Sequence, residues 1–375
     1  MKVLITGADG FLGKNLQLHL AERKEIEVLC FTRNHDMSHL LNLLQVVDFV
    51  FHLAGVNRPQ DHQEFTIGNA QLTMVLCQEV SRIAEASGKK IPIIFASSSQ
   101  AVDDNPYGKS KLIAEQALQG ATLSHGIPIH IFRLPNVFGK WCKPNYNSVV
   151  ATFCHNIARD MPIHVNDPDT PLTLVYIDDV IEHFMQLMKG SDTVTGLDGF
   201  VAVEPQYTTT VGQLASQINA FKDSRTNLIT ERVGTGLVRA LYSTYMSYLP
   251  VESFSYAVPQ YGDTRGVFAE MLKTPDCGQF SFFTAHPGIT RGGHYHHSKT
   301  EKFLVVRGEA LFKFRNMHTG QKYELMATAE KVEIIETVPG WTHDITNIGA
   351  EEMIIMLWAN ETFDRERSDT YVCAV

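Results

Sequence analysis

Lys2-Val3-Leu4-Ile5-Thr6-Gly7-Ala8-Asp9-Gly10-Phe11-Leu12-Gly13 is the stretch that decides the fold. Its opening residues form an apolar run of the kind that makes a short buried strand. The glycines let the backbone turn tightly and approach a pyrophosphate, and Leu16, Leu18 and Leu20 mark the amphipathic helix whose positive end would face that group. A lone glycine pattern says little. Between a strand and a helix it predicts a nucleotide-binding fold, with Gly7, Gly10, Phe11, Leu12 and Gly13 around the cofactor.

Further strands are predicted over Glu27 to Arg33, Asp48 to Gly55 and Ile91 to Ala96, with helices between them. Such alternation predicts an α/β fold, a doubly wound parallel Rossmann sheet with its ligand at the carboxyl ends of the strands. Leu53 and Ala54 end the third strand in a form that suits passage beneath a cofactor, and His52 reads as a packed strand residue. Where the second strand ends, Arg33 stands in place of the acidic residue that would hold the 2′-hydroxyl of NAD. A guanidinium pairs bidentately with a 2′-phosphate, which points to NADPH.

Asn105-Pro106-Tyr107-Gly108-Lys109-Ser110-Lys111 reads as a turn opening a helix, with a phenol and an amine four positions apart on one face. An ammonium held there is expected to lower the phenol's pKa and prepare it for proton transfer. Alone, this spacing is an ordinary surface pair. The strand ending in Ser97-Ser98-Ser99 just upstream, and the glycine loop before it, give it a chemical setting.

The chain has 375 residues, 44% of them hydrophobic and 19% charged, so two domains are expected. A formal charge of −9 without a basic cluster gives no electrostatic case for nucleic acid or for an anionic membrane. Cys30, Cys77, Cys142, Cys154, Cys277 and Cys373 lie far apart with no C-x-x-C pair, which fits reduced thiols. No apolar run approaches the ~20 residues that span a bilayer. The first strand leaves no room for a signal peptide, so a cytoplasmic protein is expected.

Beyond Tyr248-Leu249-Pro250 the texture changes to short apolar strands separated by Gly, Pro and Asn, which predicts a C-terminal all-β barrel. The boundary falls near Pro250, giving a nucleotide-binding domain over 1–248 and a barrel over 249–375. In the barrel, His294 and His296 share a strand face, with Glu301 following and His343 further on. Three imidazoles and a carboxylate make a site for a divalent metal. His286, His297 and His318 have no such partners and are expected at the surface.

With Thr6, Gly7, Gly10 and Gly13 matching T-G-x-x-G-x-x-G, a serine-rich strand end and Tyr107-x-x-x-Lys111, the first part resembles the extended short-chain dehydrogenase/reductase family. That resemblance implies that Tyr107 gives a proton to a carbonyl, that Lys111 tunes it and holds the nicotinamide ribose, and that Asn69 lies beside them. It favours Ser99 as the hydroxyl on the carbonyl, with Ser97 and Ser98 as alternatives, because the segment from Ser99 to Tyr107 is shorter than in most members. Gln100-Ala101 stands where the related dehydratases carry Asp-Glu, which implies a reductase. Arg133 to Gly139 is similar to the family's R-x-x-N-V-Y-G stretch; Asn136 there, and Lys143 and Asn147 in the following loop, are the implied substrate residues. Leu174 to Val180 resembles the V-D-D-V step, where Asp178 and Asp179 are expected to cap a helix.

The barrel resembles the cupins in both motifs: His294-x-His296 with Glu301 and Gly308, then Pro339-Gly340, His343 and Asn347. Asp263 to Glu270 and Arg291 to Tyr295 are also similar to segments of the deoxysugar 3,5-epimerases, where the histidine is a base. His294 therefore has two assignments, metal ligand or base, and Glu301 with His343 favours the first. Both halves together resemble the bifunctional UDP-sugar epimerase/reductases of capsule and O-antigen synthesis. This implies C3 epimerisation of a UDP-2-acetamido-2,6-dideoxy-4-hexulose in the cupin, with zinc as Lewis acid, then NADPH-dependent reduction at C4 to UDP-2-acetamido-2,6-dideoxy-L-talose, in a homodimer. Two other readings stay open: a single-function reductase whose cupin binds sugar or dimerises, and an iron site that activates oxygen.

Overall fold

The computed structural model describes residues 1–375 apart from 60, 62, 191–199, 259, 264, 265, 270, 271, 273–277, 362–365 and 367. The chain divides into two compact units, one of residues 1–137 and 173–208 and the other of 138–172 and 209–375. Residues 138–172 and 209–248, expected with the reductase, thus cluster with the barrel.

The first unit is built on a six-stranded sheet in the order Glu27–Phe31, Lys2–Thr6, Phe49–His52, Ile93–Ser98, Ile129–Leu134 and Phe200–Val201. Every pairing is parallel, as expected. Phe49–His52 and Ile93–Ser98 are buried at every position, the signature of strands covered on both faces. Leu4, Val50 and Ile93 pack with Leu76 and Val80 of the helix Leu72–Ser87 and Leu118 of Pro106–His125. From Lys2–Thr6 the chain goes to one side for the second strand and to the other for the third, so the order reverses at the glycine loop. That reversal is where a doubly wound sheet binds its ligand.

The second unit contains two five-stranded antiparallel sheets, the expected all-β architecture. One runs Ser255–Ala257, Glu333–Glu336, Glu301–Arg307, Met353–Ala359 and Gln279–Ala285. The other runs Lys322–Thr328, Glu309–Asn316, Trp341–Asn347, Thr290–Tyr295 and Tyr371–Val372. Period-two alternation places Ala310, Phe312 and Phe314 in the core, where Phe303, Ile335, Ile345, Ile355 and Trp358 are also buried. The same unit holds the helices Val149–Ile157, Val211–Asn227 and Gly236–Ser247. The last of these lies between Lys222 and Tyr248, a stretch that reads from the sequence as a looser polar region after the helix that begins near Val211.

A buried charge network ties helix to sheet within this unit. Arg225 pairs with Glu336, which also accepts from Lys302 Nζ at 2.5 Å, and Lys302 donates to the Tyr256 hydroxyl at 2.8 Å. Burial alone would lower the Lys302 amine, but Glu336 holds it raised. Such a network is costly to break from one side, because the remaining charge is left without a partner.

Candidate active site and metal centre

Asn105 caps the helix Pro106–His125 by accepting the Gly108 N–H at 2.8 Å, and Pro106 occupies its first turn. This cap fixes Tyr107 at the helix start and Lys111 one turn later. A Cβ on Gly108 would lie 2.2 Å from the Gln100 carbonyl oxygen, so the turn after the fourth strand packs directly on the first turn of the helix. Lys111 points inward, donating to the Ala96 carbonyl at 2.9 Å and lying 4.9 Å from the Phe95 ring centroid. Burial pushes its amine down to about 8, against the opposing pull of Glu115.

Burial raises the Tyr107 phenol, opposed by a hydrogen bond with Ser98, so the expected lowering by Lys111 is not found. The serine against the phenol is Ser98, not Ser99. The pleat ends at Ser98, whose hydroxyl accepts the Gln100 N–H at 3.1 Å, and the chain turns so that Ser99 is exposed in the 3₁₀ segment Ser99–Val102. Ser97 faces the other way and donates to Glu115 at 2.5 Å; Glu115 also takes the Arg133 guanidinium at 2.6 Å.

Asn69 is buried in a π-helical segment, Thr66–Gln71, a conformation frequent at functional sites. Its amide binds the Val56 N–H and carbonyl at 2.8 and 3.1 Å and the Ser110 hydroxyl at 2.9 Å. A Cβ on Gly55 would lie 3.2 Å from both Asn69 Oδ1 and Lys111 Nζ, so these groups converge as the sequence implied.

At the glycine loop, Gly7 has φ +70 and its Cβ would meet Ala54 Cα at 2.7 Å. Only glycine fits where the first and third strands end side by side. Gly10 starts the helix Phe11–Ala21 with no side-chain cap, leaving its first N–H groups for an anion. Leu53 and Ala54 are half-buried there, and Arg33 is exposed in the turn after the second strand. His52 is structural, as expected, bridging Thr6 and Thr73 hydroxyls at 2.7 and 2.8 Å with burial pushing its ring down to about 3. Asn136 is exposed and donates to the Thr173 carbonyl at 3.2 Å. Lys143 and Asn147 are exposed and belong to the second unit, with Lys143 Nζ 5.2 Å from the Tyr146 ring centroid. Asp178 and Asp179 lie in the first turn of Ile177–Met188 and do not cap it; Asp178 pairs with His19 at 3.2 Å.

In the second unit His294, His296, Glu301 and His343 offer ligand atoms all within 4.8 Å of one another. The pairing of Thr290–Tyr295 with Trp341–Asn347 sets His294 opposite His343, across a bulge between Gly292 and His294. Gly292 and Gly293 make it with φ of +95 and +71, re-aiming the histidine that follows. His296 Nε2 and His343 Nε2 lie 3.2 and 3.5 Å from Glu301 Oε2. Burial alone would raise Glu301, but the two imidazoles hold it well below the usual carboxylate range. Burial, with His343 and His296, pushes His294 down to about 4. A carboxylate among three imidazoles is a donor set of nitrogen and oxygen that fits a divalent cation such as zinc. His297 is buried, contrary to expectation, whereas His286 and His318 are exposed. Thr264, Arg265 and Glu270 of the epimerase-like segment lie outside the described residues. The cysteines described, Cys30, Cys77, Cys142, Cys154 and Cys373, are free. Among the described residues no helix is long and apolar enough to cross a membrane.

Residues 3–198 match the NAD dependent epimerase/dehydratase family and residues 261–371 the polysaccharide biosynthesis C-terminal domain. The chain is 60% identical to the UDP-2-acetamido-2,6-beta-L-arabino-hexul-4-ose reductase of Pseudomonas aeruginosa, over 100% of this chain and 99% of that one. It is similar to the crystal structure of the capsular polysaccharide assembling protein CapF from Staphylococcus aureus, with 41% identity, a TM-score of 0.67 and 100% of each chain covered. UDP-glucuronic acid decarboxylase 5 of Arabidopsis thaliana is 25% identical over 52% of this chain and 68% of its own. The chain therefore belongs to the NAD dependent epimerase/dehydratase family and is similar along its whole length to the Pseudomonas reductase and to CapF.

Proposed function

We propose that the Tyr107 and Lys111 centre reduces the C4 ketone of a UDP-2-acetamido-2,6-dideoxyhexulose after C3 of that sugar has been inverted at the His294, His296, Glu301 and His343 cluster. The product is then UDP-2-acetamido-2,6-dideoxy-L-talose, for UDP-N-acetyl-L-fucosamine and capsule or O-antigen synthesis. The observation that carries this reading is the 60% identity, end to end, with a reductase whose name puts the ketone at C4.

The residues supply a consistent chemistry. Tyr107 gives the proton to the C4 oxygen, and Ser98, hydrogen-bonded to that phenol, takes the carbonyl-binding role expected of Ser99. Lys111, held by the Ala96 carbonyl, keeps a positive charge under the site and binds the nicotinamide ribose. Gly7, Gly10 and Gly13 would hold the pyrophosphate of NADPH and Arg33 its 2′-phosphate, and the cofactor would supply the hydride. His294, His296, Glu301 and His343 would hold a zinc ion, which would supply Lewis acidity toward the ketone and so make the neighbouring C3 proton removable. Asn136, Lys143 and Asn147 are the proposed contacts to substrate, and the division into 1–248 and 249–375 is the proposed division of labour. A cytoplasmic homodimer belongs to the same reading; light scattering at monomer mass contradicts it.

The test is a pair of variants. Tyr107→Phe should abolish NADPH oxidation yet keep solvent deuterium exchange at C3. His343→Ala should lose exchange yet oxidise NADPH when given the epimerised ketone. Equal loss of both activities in both folded variants contradicts the division. If removing the cluster leaves product stereochemistry unchanged, the barrel is a binding module.

A further inference from the structure

The final residues of the chain run across the metal-ligand cluster and are tied down on both sides of it. Tyr371–Val372 pairs with Thr290–Tyr295, setting Val372 opposite His294. The Cys373 N–H donates to the Gly293 carbonyl at 2.8 Å, and its own carbonyl accepts from the Thr342 hydroxyl at 2.5 Å, next to His343. At the start of this strap is Asp369. Its backbone carbonyl bonds His296 Nδ1 at 2.5 Å, which turns Nε2 of that ring toward Glu301. Its carboxylate accepts the N–H groups of His297, Ser298 and Lys299 at 2.9, 2.8 and 2.7 Å, and the Ser298 hydroxyl at 3.0 Å.

Those three amides belong to the loop that joins His296 to Glu301. The helix Gly236–Ser247 holds the same loop through Arg239, which donates to the Ser298 hydroxyl, and Ser243, which donates to the Ser298 carbonyl at 2.5 Å. All of these residues lie in the second unit. The ligand set is thus not rigid by its own strands alone: the turn between two of its members is shaped around one half-buried carboxylate.

We propose that Asp369 is a positioning residue of the metal centre, its carbonyl fixing the His296 ring and its carboxylate fixing the loop between His296 and Glu301. This rests on the reading that the cluster binds a divalent cation. Groups that orient ligands in this way typically contribute 10–100-fold to metal affinity.

The test uses the full chain stripped of metal, titrated with cobalt(II) and followed by its visible absorption, with the thermal midpoint of the stripped protein measured alongside. Asp369→Asn, which replaces one of the two accepting oxygens with an NH2 donor, should weaken cobalt binding roughly 10–100-fold and alter the visible band, with little change in the midpoint. A chain ending at Ser368 should bind more weakly still. Asp369→Glu, which keeps a carboxylate, should fall between wild type and Asp369→Asn. Wild-type affinity and an unchanged band in Asp369→Asn overturn the proposal. If Asp369→Asn folds poorly, Asp369→Glu decides, and affinity no better than that of Asp369→Ala overturns it. The underlying reading fails separately, by wild type taking up no more cobalt than His343→Ala.

Discussion

Replacing Lys111 with methionine should make the nucleotide-free protein more stable while abolishing reduction. Lys111 is 4% exposed, and burial pushes its amine down to about 8 from the ordinary 10.5. Each pKa unit corresponds to about 1.4 kcal/mol, so holding the charged amine in place costs the fold about 3 kcal/mol at neutral pH. Losing the bond to the Ala96 carbonyl returns about 1–2 kcal/mol of this. A net gain of about 1–2 kcal/mol remains, or roughly 3–6 °C in the midpoint of a unit of this size. The pH dependence follows from the sign of the shift. Between pH 8 and 10.5 the unfolded chain binds the extra proton, so wild-type stability rises with pH across that window and the advantage of Lys111→Met shrinks. Thermal melts from pH 7 to 10.5, followed by circular dichroism, measure it. A variant less stable than wild type at pH 7, or a difference flat across the range, refutes the reasoning.

Three further outcomes are expected. Ser98→Ala should lower kcat by about 10²-fold or more, whereas Ser99→Ala, altering an exposed hydroxyl, should stay within about twofold; steady-state NADPH oxidation separates them. Glu115→Gln should destabilise the first unit by about 2–3 kcal/mol in denaturant titration, because Arg133 and Ser97 lose the carboxylate that both bind. Stripping metal with a chelator should lower the thermal midpoint of wild type and leave His343→Ala unchanged, since a cation at 100 times its Kd adds about 2.7 kcal/mol.

Much of this site could be read from residues adjacent in sequence. The glycine loop, the Tyr107 to Lys111 spacing and the His294, His296, Glu301 group each lie within one or two elements, so local geometry alone brings their side chains together. The choice among three serines could not be made this way, because alternation assumes that the strand continues, whereas it ends at Ser98 and turns. Asp369 carried no signal: a lone aspartate near the chain's end reads as solvated, and only tertiary folding brings it to His296. Arg225, Lys302 and Glu336 likewise read as surface charges until helix and sheet bury them together. The helix Gly236–Ser247 was missed because its apolar positions are interleaved with Ser, Thr and Tyr, which blur the helical period.

The most direct measurement is of what the wild-type protein makes. A UDP-2-acetamido-2,6-dideoxy-4-hexulose is incubated with the protein and NADPH in heavy water, and the product is analysed by mass and NMR. The account predicts one sugar with inverted C3 carrying solvent deuterium and a C4 hydrogen delivered from NADPH. A 4-keto sugar nucleotide recovered unchanged, with NADPH unconsumed, contradicts it.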